Sequence, residues 1–184
     1  MISHCEAKSI KKLSENRGQL SAPNFLIVPT YACNLKCIYC YEDSYLINQR
    51  GLTSDVMQLT NQFTTIDSIV SKSGFHNREI AITLMGGEPL LKTNVRIIET
   101  ALELSKQRGY KVNVVTNGVD LGCFIDLFVN YFDVLSHIQI TLDGSQDVHD
   151  KRRIYRDGSG SFDIIWKNIK EAISYLEQAK KRAT

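Results

Sequence analysis

Short apolar runs alternate along the chain with longer segments in which apolar residues recur every three or four positions. The short runs predict buried strands, and the longer segments predict amphipathic helices that each bury one face. This alternation occurs four times and indicates right-handed βαβ crossovers, which place four parallel strands in one sheet. Because the strands are almost continuously apolar, we expect both faces of the sheet to be covered. The predicted strands are residues 25–28, 80–85, 112–116 and 138–142.

Capping residues and glycines mark the ends of the predicted helices. Thr53 or Ser54 can cap the first helix, and Gly74 is a natural stop for it. The third helix is short and covers residues 121–129, and the last helix begins near Ser161. The apolar residues predicted to face the core are Val56, Leu59, Phe63, Ile66, Ile69 and Val70 in the first helix, and Phe162, Ile165, Ile169, Ala172, Ile173 and Leu176 in the last.

The composition is that of an ordinary globular protein. The 184 residues, of which 43% are apolar and 23% charged, suffice for one domain with a sizeable core. We expect residues 1–23 to be a lead-in and residues 24–184 to form this domain. A net charge of +2 without long single-sign runs gives no reason to expect nucleic acid or a membrane as partner. Without a signal peptide or a span of about 20 apolar residues, we expect a cytoplasmic protein.

Three of the five cysteines lie within eight residues, directly after the first predicted strand. They are Cys33, Cys37 and Cys40, with the spacing C-x3-C-x2-C. An odd cysteine count with clustered spacing fits a reducing compartment and metal binding better than a disulfide framework. The three thiolates on one loop can converge on a single point, so this loop is the candidate metal site.

Two kinds of metal site are compatible with these three cysteines. A structural zinc ion usually takes four protein ligands, so zinc would need His4, Cys5 or Cys123 as the fourth. A four-iron cluster takes one thiolate per iron, so three cysteines leave one iron open to a reactant. We expect Cys5 to be a tail thiol and Cys123 a small core residue rather than metal ligands. The cysteine spacing by itself leaves both kinds of site open.

Each predicted strand is followed by a chemically unusual sequence. The first strand is followed by the cysteine loop. The second, third and fourth strands are followed by Gly86-Gly87-Glu88-Pro89, Thr116-Asn117-Gly118 and Thr141-Leu142-Asp143-Gly144, respectively. The carboxyl ends of parallel strands meet at one edge of a sheet, so we expect one common site there. Gly86 and Gly87 let the backbone approach a ligand closely. Glu88 can accept hydrogen bonds from a ligand ammonium or serve only as a first-turn helix carboxylate. Asn117 faces the site or forms a turn at positive φ.

The cysteine loop resembles the signature of the radical S-adenosylmethionine (SAM) enzymes, in which an aromatic residue precedes the third cysteine. In that family the three cysteines hold a 4Fe–4S cluster, and the free iron chelates the amino and carboxylate groups of SAM. The resemblance implies that Cys33, Cys37 and Cys40 are the cluster ligands and that Tyr39 lies near the adenine. It also implies an α/β fold, a partial (β/α) TIM-like barrel with about four parallel βα units.

Two further motifs resemble this family. Gly86, Gly87 and Glu88 match its Gly-Gly-Glu-Pro motif, which implies contact with the amino group of SAM. Residues 141–153 are similar to the Ser-Leu-Asp-Gly…His-Asp…Arg pattern of the peptide-modifying branch, which includes the anaerobic sulfatase-maturating enzymes and SPASM-type maturases. There the strand-end Ser and the Arg contact SAM. By position these are Thr141 and Arg153.

Some residues around these motifs remain ambiguous. Arg152 is a neighbouring candidate for the contact that Arg153 would make with the SAM carboxylate. Met85 stands where some relatives carry Gln, which weakens the expected contact with the SAM ribose. The His149-Asp150 pair invites an acid–base role, although such a loop pair more often stabilises the loop itself.

The resemblance implies an enzyme that uses an external one-electron reductant to cleave SAM to a 5′-deoxyadenosyl radical and modifies a peptide or protein substrate. The family barrel usually has six βα units, and its peptide-modifying branch adds a cysteine-rich C-terminal SPASM domain. With four units and no such cysteines, we expect a truncated or split enzyme, completed by a missing segment, a partner chain or self-association. The alternative is a non-catalytic remnant or a metal-binding, peptide-docking module. The residues identify no general base.

Overall fold

The computed structural model describes residues 23–42 and 52–183. Within these ranges, four parallel strands form one sheet whose spatial order is that of the chain. The strands are β1 (Asn24–Ile27), β2 (Ala81–Leu84), β3 (Lys111–Thr116) and β4 (Leu135–Ile140). The helices are α1 (Val56–Ser73), α2 (Val95–Arg108), α3 (Ile125–Asn130), α4 (Gln146–His149) and α5 (Phe162–Ala183), with 3₁₀ turns at Asn77–Glu79, Lys92–Asn94 and Leu121–Phe124. The predicted α/β architecture of four parallel βα units is confirmed.

The main core lies between the sheet and the helices. On the helix-facing side of the central strands, Ile82, Leu84, Val112 and Val114 are completely buried. They pack into one cluster with helix residues that include Phe63. The apolar runs of β2 and β3 therefore form strands because burial of these side chains removes a large apolar area from water. In the described ranges, no helix combines the length and apolar character needed to cross a membrane.

The opposite face of the sheet is open in the part of the chain that the structure describes. Leu26, Thr83, Asn113 and His137 pair across the four strands on this face. Leu26 is 58% exposed, and the Thr83 hydroxyl donates to Asn24 at 2.8 Å. The prediction that both faces are covered is therefore wrong for Leu26 and His137, which are exposed on the two outer strands, whereas Thr83 is buried. β4 begins at Leu135, earlier than predicted. From His137 to Ile140 polar and apolar residues alternate as in a half-buried strand, and a register shift between Val112 and Asn113 accommodates Ser136.

The first helix begins one residue later than the predicted caps allow. Asp55, rather than Thr53 or Ser54, caps α1: its carboxylate accepts from the Gln58 N–H at 2.7 Å, and the Gln58 side chain accepts from the Asp55 N–H at 3.1 Å. This reciprocal pair is a capping box. Gly74 ends the helix with a left-handed φ of 71°, as predicted.

Two residues predicted to face the core lie at its margin instead. Ile69 in α1 is 50% exposed and Ile173 in α5 is 53% exposed. Both follow the period of the apolar stripe, but each lies on the edge of a stripe that is narrower than the one predicted from spacing. The prediction that they are buried is wrong.

Candidate functional site

One pocket lies where the carboxyl ends of the strands meet. All ten residues predicted for the site line it, namely Cys33, Cys37, Tyr39, Cys40, Gly86, Gly87, Glu88, Asn117, Thr141 and Arg153. Other residues on its wall are Tyr41, Glu42, Met85, Val115 and Thr116. Residues from four separate strand ends thus share one cavity, as the parallel topology requires.

The cysteine loop is fixed by a buried leucine within it and by backbone hydrogen bonds to a segment more than 100 residues later in the chain. Leu35 is 2% exposed and packs with Val119 and Ile165. The Lys36 N–H donates to the Ile154 carbonyl at 2.7 Å, and the Ile38 N–H donates to the Arg152 carbonyl at 2.9 Å. This antiparallel pairing fixes the loop that carries the three cysteines.

The same pairing decides which arginine enters the pocket. The two backbone bonds flank Arg153, which lines the pocket at 9% exposure, whereas Arg152 is exposed. Arg153 Nη1 donates to the Tyr39 hydroxyl at 2.8 Å. The Tyr39 hydroxyl in turn donates to the Asp143 carboxylate at 2.7 and 2.9 Å. Arg153 Nε is buried and has no hydrogen-bond partner among the described residues, so one guanidinium N–H remains available to an anion.

Gly86 and Gly87 allow the strand-end loop to pack against the start of the cysteine loop. The Gly87 N–H donates to the Thr30 carbonyl at 3.0 Å, and the Glu88 N–H donates to the Ala32 carbonyl at 2.8 Å. A Cβ on Gly87 would lie 2.5 Å from the Tyr31 carbonyl oxygen. The glycines line the pocket as predicted, but their missing Cβ atoms first of all admit the neighbouring backbone.

The Glu88 carboxylate is buried and bonded to the backbone around it. Oε1 accepts from Thr116 Oγ1 at 2.6 Å and from the Leu90 N–H at 2.8 Å, and Oε2 accepts from the Asn117 N–H at 2.6 Å. Burial raises the pKa of Glu88 to about 7, although these three donors oppose the shift. A carboxylate oxygen has two acceptor positions, so Oε2 can take one more donor.

Asn117 connects the third strand end to the cysteine loop. Its Nδ2 donates to Asn34 Oδ1 at 2.8 Å and lies 3.8 Å from Cys33 Sγ. Its Oδ1 accepts from the Val119 N–H at 2.9 Å, which closes a side-chain turn. Positive φ occurs at Gly118 and not at Asn117, so the interpretation of Asn117 as a left-handed turn residue is wrong.

Comparison with known proteins identifies the family. The Radical SAM superfamily profile matches residues 27–180. The chain belongs to this superfamily. It is 32% identical over 154 residues to a cysteine-type anaerobic sulfatase-maturating enzyme of Clostridium novyi (strain NT), covering 80% of this chain and 39% of that enzyme. It is 28% identical over 165 residues to the radical SAM cyclopropyl synthase TigE of Paramaledivibacter caminithermalis, covering 84% of this chain and 32% of TigE.

A solved structure shares the fold of this radical SAM chain. Native anSMEcpe with bound AdoMet and Cp18Cys peptide superposes with a TM-score of 0.58 at 20% identity, covering 86% of this chain and 41% of that one. The family and the partial-barrel fold predicted from the motifs are therefore confirmed. The chain spans about two fifths or less of the length of the relatives named here.

Cys33 and Cys37 lie in surroundings that disfavour free thiolates. Burial raises the pKa of Cys33 to about 11, with further contributions from Glu88 and from the other two thiols. Burial also raises the pKa of Cys37, while the Arg153 guanidinium opposes that shift. Positive charge, such as that of metal ions, would favour the thiolate form of these two cysteines.

Cys33, Cys37 and Cys40 all line the pocket, so the cysteine loop is the candidate ligand set for a metal centre. Within residues 23–42 and 52–183, no group of three or more His, Cys, Asp or Glu side chains is placed to hold one metal ion. Cys123 is exposed and does not line the pocket, so the prediction of a core position is wrong. His4 and Cys5 lie outside the described residues.

Three partners of the radical SAM site are not singled out by the motifs. Asp143 accepts from Tyr39, Thr116 donates to Glu88, and Asn34 accepts from Asn117. Thr116 and Asp143 each lie inside a strand-end motif, so position gave a signal for them. Asn34 lies next to Cys33, and apart from that position nothing in the sequence marks it as a site residue.

The His149-Asp150 pair lies outside the pocket. His149 is completely buried, and Asp150 Oδ1 accepts from the Phe162 N–H at 2.9 Å at the start of α5. Neither residue lines the cavity. The geometry therefore supports the loop-stabilising interpretation of this pair over direct acid–base chemistry.

Replacement of Gly87 by alanine is expected to lower the free energy of unfolding by about 1–3 kcal/mol, because the new Cβ overlaps backbone that cannot move alone. Gly122→Ala is the matched control, since its Cβ would meet only the end of the Asn168 side chain at 3.3 Å. Urea unfolding of the two variants measures the difference. Equal unfolding midpoints would show that the two loops are not packed as described.

Proposed function

We propose that this chain is the catalytic part of a radical SAM enzyme, which binds a 4Fe–4S cluster and SAM and acts on a peptide or protein substrate. One observation carries the proposal: three cysteines, a buried carboxylate and a half-satisfied guanidinium line one pocket at the carboxyl ends of parallel strands. The names of the relatives support the substrate class. They include sulfatase-maturating enzymes and a structure determined with a bound peptide.

Cys33, Cys37 and Cys40 would hold three irons of the cluster, with Tyr39 beside the adenine of SAM. When bound, the cluster supplies the electron that cleaves SAM into methionine and a 5′-deoxyadenosyl radical, which removes a hydrogen atom from the substrate. An external one-electron reductant replenishes that electron. The protein positions the reactants and excludes water, which is the usual division of labour with a cofactor.

Two oppositely charged groups are available for the amino-acid part of SAM. Glu88 Oε2 keeps an acceptor position for the ammonium, and Arg153 Nε keeps a donor for the carboxylate. Thr141 adds a hydroxyl on the same wall, and Gly86 and Gly87 leave room for the ligand beside the cysteine loop. This arrangement matches the charges of a zwitterion and fixes its direction in the pocket.

The open sheet face gives the substrate a route to the pocket. Among the described residues, β4 pairs on one side only, with β3. Leu26, on the uncovered face, is largely exposed. An additional polypeptide, from a completing chain or a second copy of this one, would cover this face and close the cavity around the peptide.

Anaerobic reconstitution of the chain with iron and sulfide, followed by incubation with SAM and dithionite, tests the proposal. The expected result is about four irons per chain and formation of 5′-deoxyadenosine that depends on the reductant. Bound zinc, with no SAM cleavage after reconstitution, would overturn the proposal in favour of a non-catalytic metal-binding or peptide-docking module.

Arg153→Gln is expected to weaken SAM binding by about 10- to 100-fold, because a charge-assisted hydrogen bond in a buried site is lost. Arg152→Gln is the matched control, since this side chain is exposed and outside the pocket. It should change the affinity less than about twofold. Equilibrium dialysis of the reconstituted variants with labelled SAM measures both. Equal losses would contradict the assignment of Arg153 to the SAM carboxylate.

A further inference from the structure

Several loop segments meet at the imidazole of His149, which is completely buried. Nδ1 lies 3.4 Å from the Asp143 backbone nitrogen, and Nε2 lies 3.0 Å from Ser161 Oγ. The Phe162 ring packs edge-on at 5.5 Å between centroids. The His149 carbonyl also accepts from the Arg153 N–H at 2.8 Å. The ring therefore joins the end of the fourth strand to the segment that carries Arg153.

The hydrogen-bond partners fix where the imidazole proton lies. The Ser161 hydroxyl has one hydrogen, and it donates this hydrogen to the Arg153 carbonyl at 2.6 Å. Ser161 Oγ must then accept from His149, so Nε2 carries the proton. Nδ1 is left without a proton and accepts from the Asp143 N–H. A single neutral tautomer thus satisfies every group, and a second proton would set two N–H donors against each other at Nδ1.

The two residues that His149 anchors are the two partners of the Tyr39 hydroxyl. Asp143 is held through its backbone N–H, and Arg153 is held through its carbonyl by way of Ser161. In the pocket, Tyr39 donates to Asp143 and accepts from Arg153. His149 itself does not line the pocket. The neutral ring therefore sets the relative position of Tyr39, Asp143 and Arg153 from outside the pocket that these three residues share.

We propose that His149 is a positioning residue that must be neutral to hold Asp143 and Arg153 in register with Tyr39, so that acid weakens SAM binding through protonation of His149. This inference rests on the proposed function in one respect, the identity of SAM as the pocket ligand. In chemical terms, a proton competes with the Asp143 backbone N–H for the lone pair of His149 Nδ1.

The charges around His149 determine the pH range. Burial and the Arg153 guanidinium lower the pKa of His149, while the Asp150 and Asp143 carboxylates oppose the shift. Ser161 and Phe162, at the start of α5, contact the ring and carry no charge. Because the folded-state pKa lies below the ordinary value of 6.5, the ring is neutral at pH 7. Its contribution to stability is present above pH 6.5 and is lost as pH falls through the folded pKa.

The test measures the SAM dissociation constant of the reconstituted wild type and of His149→Asn between pH 7.5 and 5. Asparagine places an acceptor near the Nδ1 position and cannot take up a proton. Glu88 titrates in both proteins, so the ratio of the two dissociation constants isolates His149. We expect wild-type affinity to fall relative to the variant by roughly tenfold across this range. A ratio that does not change with pH would overturn the inference.

His149→Gln is the second variant, and it separates the two contacts. Glutamine reaches the Ser161 hydroxyl but supplies no acceptor for the Asp143 N–H. His149→Asn keeps the Asp143 contact and loses the Ser161 contact, so each variant should bind SAM more weakly than the wild type at pH 7.5, and neither should show the His149 transition. Wild-type affinity of His149→Gln at pH 7.5 would show that the Asp143 anchor does not matter and would overturn that part of the inference.

A measurement without SAM keeps this inference distinct from the proposed function. Trp166 is the single tryptophan of the chain and stacks on Phe162, with 6.1 Å between ring centroids. Its fluorescence in the cluster-free protein should change with a transition below pH 6.5 that both His149 variants lack. If SAM binds to none of the proteins but this transition occurs, the proposed ligand is wrong and the neutral imidazole anchor stands. If the transition is absent from the wild type, the anchor is wrong.

Discussion

Replacing Cys37 with alanine is expected to abolish the formation of 5′-deoxyadenosine, while replacing Cys123 with alanine leaves it unchanged. Cys37 lines the pocket between Cys33 and Cys40, and each thiolate would hold a separate iron. Two thiolates cannot retain a four-iron cluster against exchange in solution, so the variant should lose iron, sulfide and SAM cleavage together. Chromatographic detection of deoxyadenosine under dithionite, with iron and sulfide analysis, measures all three.

Cys123 makes the comparison specific to the pocket. Its thiol is exposed and does not line the cavity, so its removal tests the effect of losing a cysteine as such. If Cys37→Ala kept its iron and its deoxyadenosine yield, the cysteine loop would not be the cluster site. If Cys123→Ala lost both, Cys123 would have a ligand role that its position does not indicate.

Replacing Glu88 with alanine is expected to lower the free energy of unfolding at pH 6 by about 3 kcal/mol. The change leaves three buried donors without an acceptor: the Thr116 hydroxyl and the Leu90 and Asn117 N–H groups. Glu79→Ala is the matched control, because the Glu79 carboxylate also accepts a backbone N–H, from His76 at 2.7 Å, but at an exposed position. Its loss should cost less than about 1 kcal/mol. Similar losses in both variants would contradict the description of Glu88 as a buried anchor.

The same carboxylate gives the wild type a distinctive pH dependence. The folded-state pKa of Glu88 is about 7, above its ordinary value of 4.5. Between these values the folded protein keeps a proton that the unfolded chain has released, so the contribution of Glu88 to stability falls as pH rises through 7. The difference amounts to about 3 kcal/mol between pH 4 and pH 9. Urea unfolding of wild type and Glu88→Ala across this range isolates it, and parallel pH profiles would contradict the raised pKa.

Residues with strong local signals were predictable from the sequence. The central strands β2 and β3 are apolar because the helices bury one of their faces, and Gly74 marks a left-handed helix end. The edge strand β4 was harder to bound, because its open face carries polar residues such as His137. The cap of α1 was predicted at Thr53 or Ser54, and the reciprocal bond to Gln58 places it at Asp55.

The membership of the site was predictable because every motif follows a strand, and the topology brings all strand ends together. The choice between Arg152 and Arg153 was not, because it depends on a backbone pairing with the cysteine loop more than 100 positions away. The hydrogen bond between Tyr39 and Asp143 joins residues 104 positions apart, and no pattern in the sequence indicates it. The anchoring role of His149 likewise follows from contacts that only the folded chain makes.

The backbone pairing between Lys36–Ile38 and Arg152–Ile154 has a consequence for biosynthesis. The thiols emerge from the ribosome before the segment that fixes their loop, which follows after more than 100 further residues. Closing so long a loop is entropically costly and waits until the intervening strands have folded. Loading of iron and sulfur is therefore expected to be a late event, completed on a folded chain and not on a nascent one.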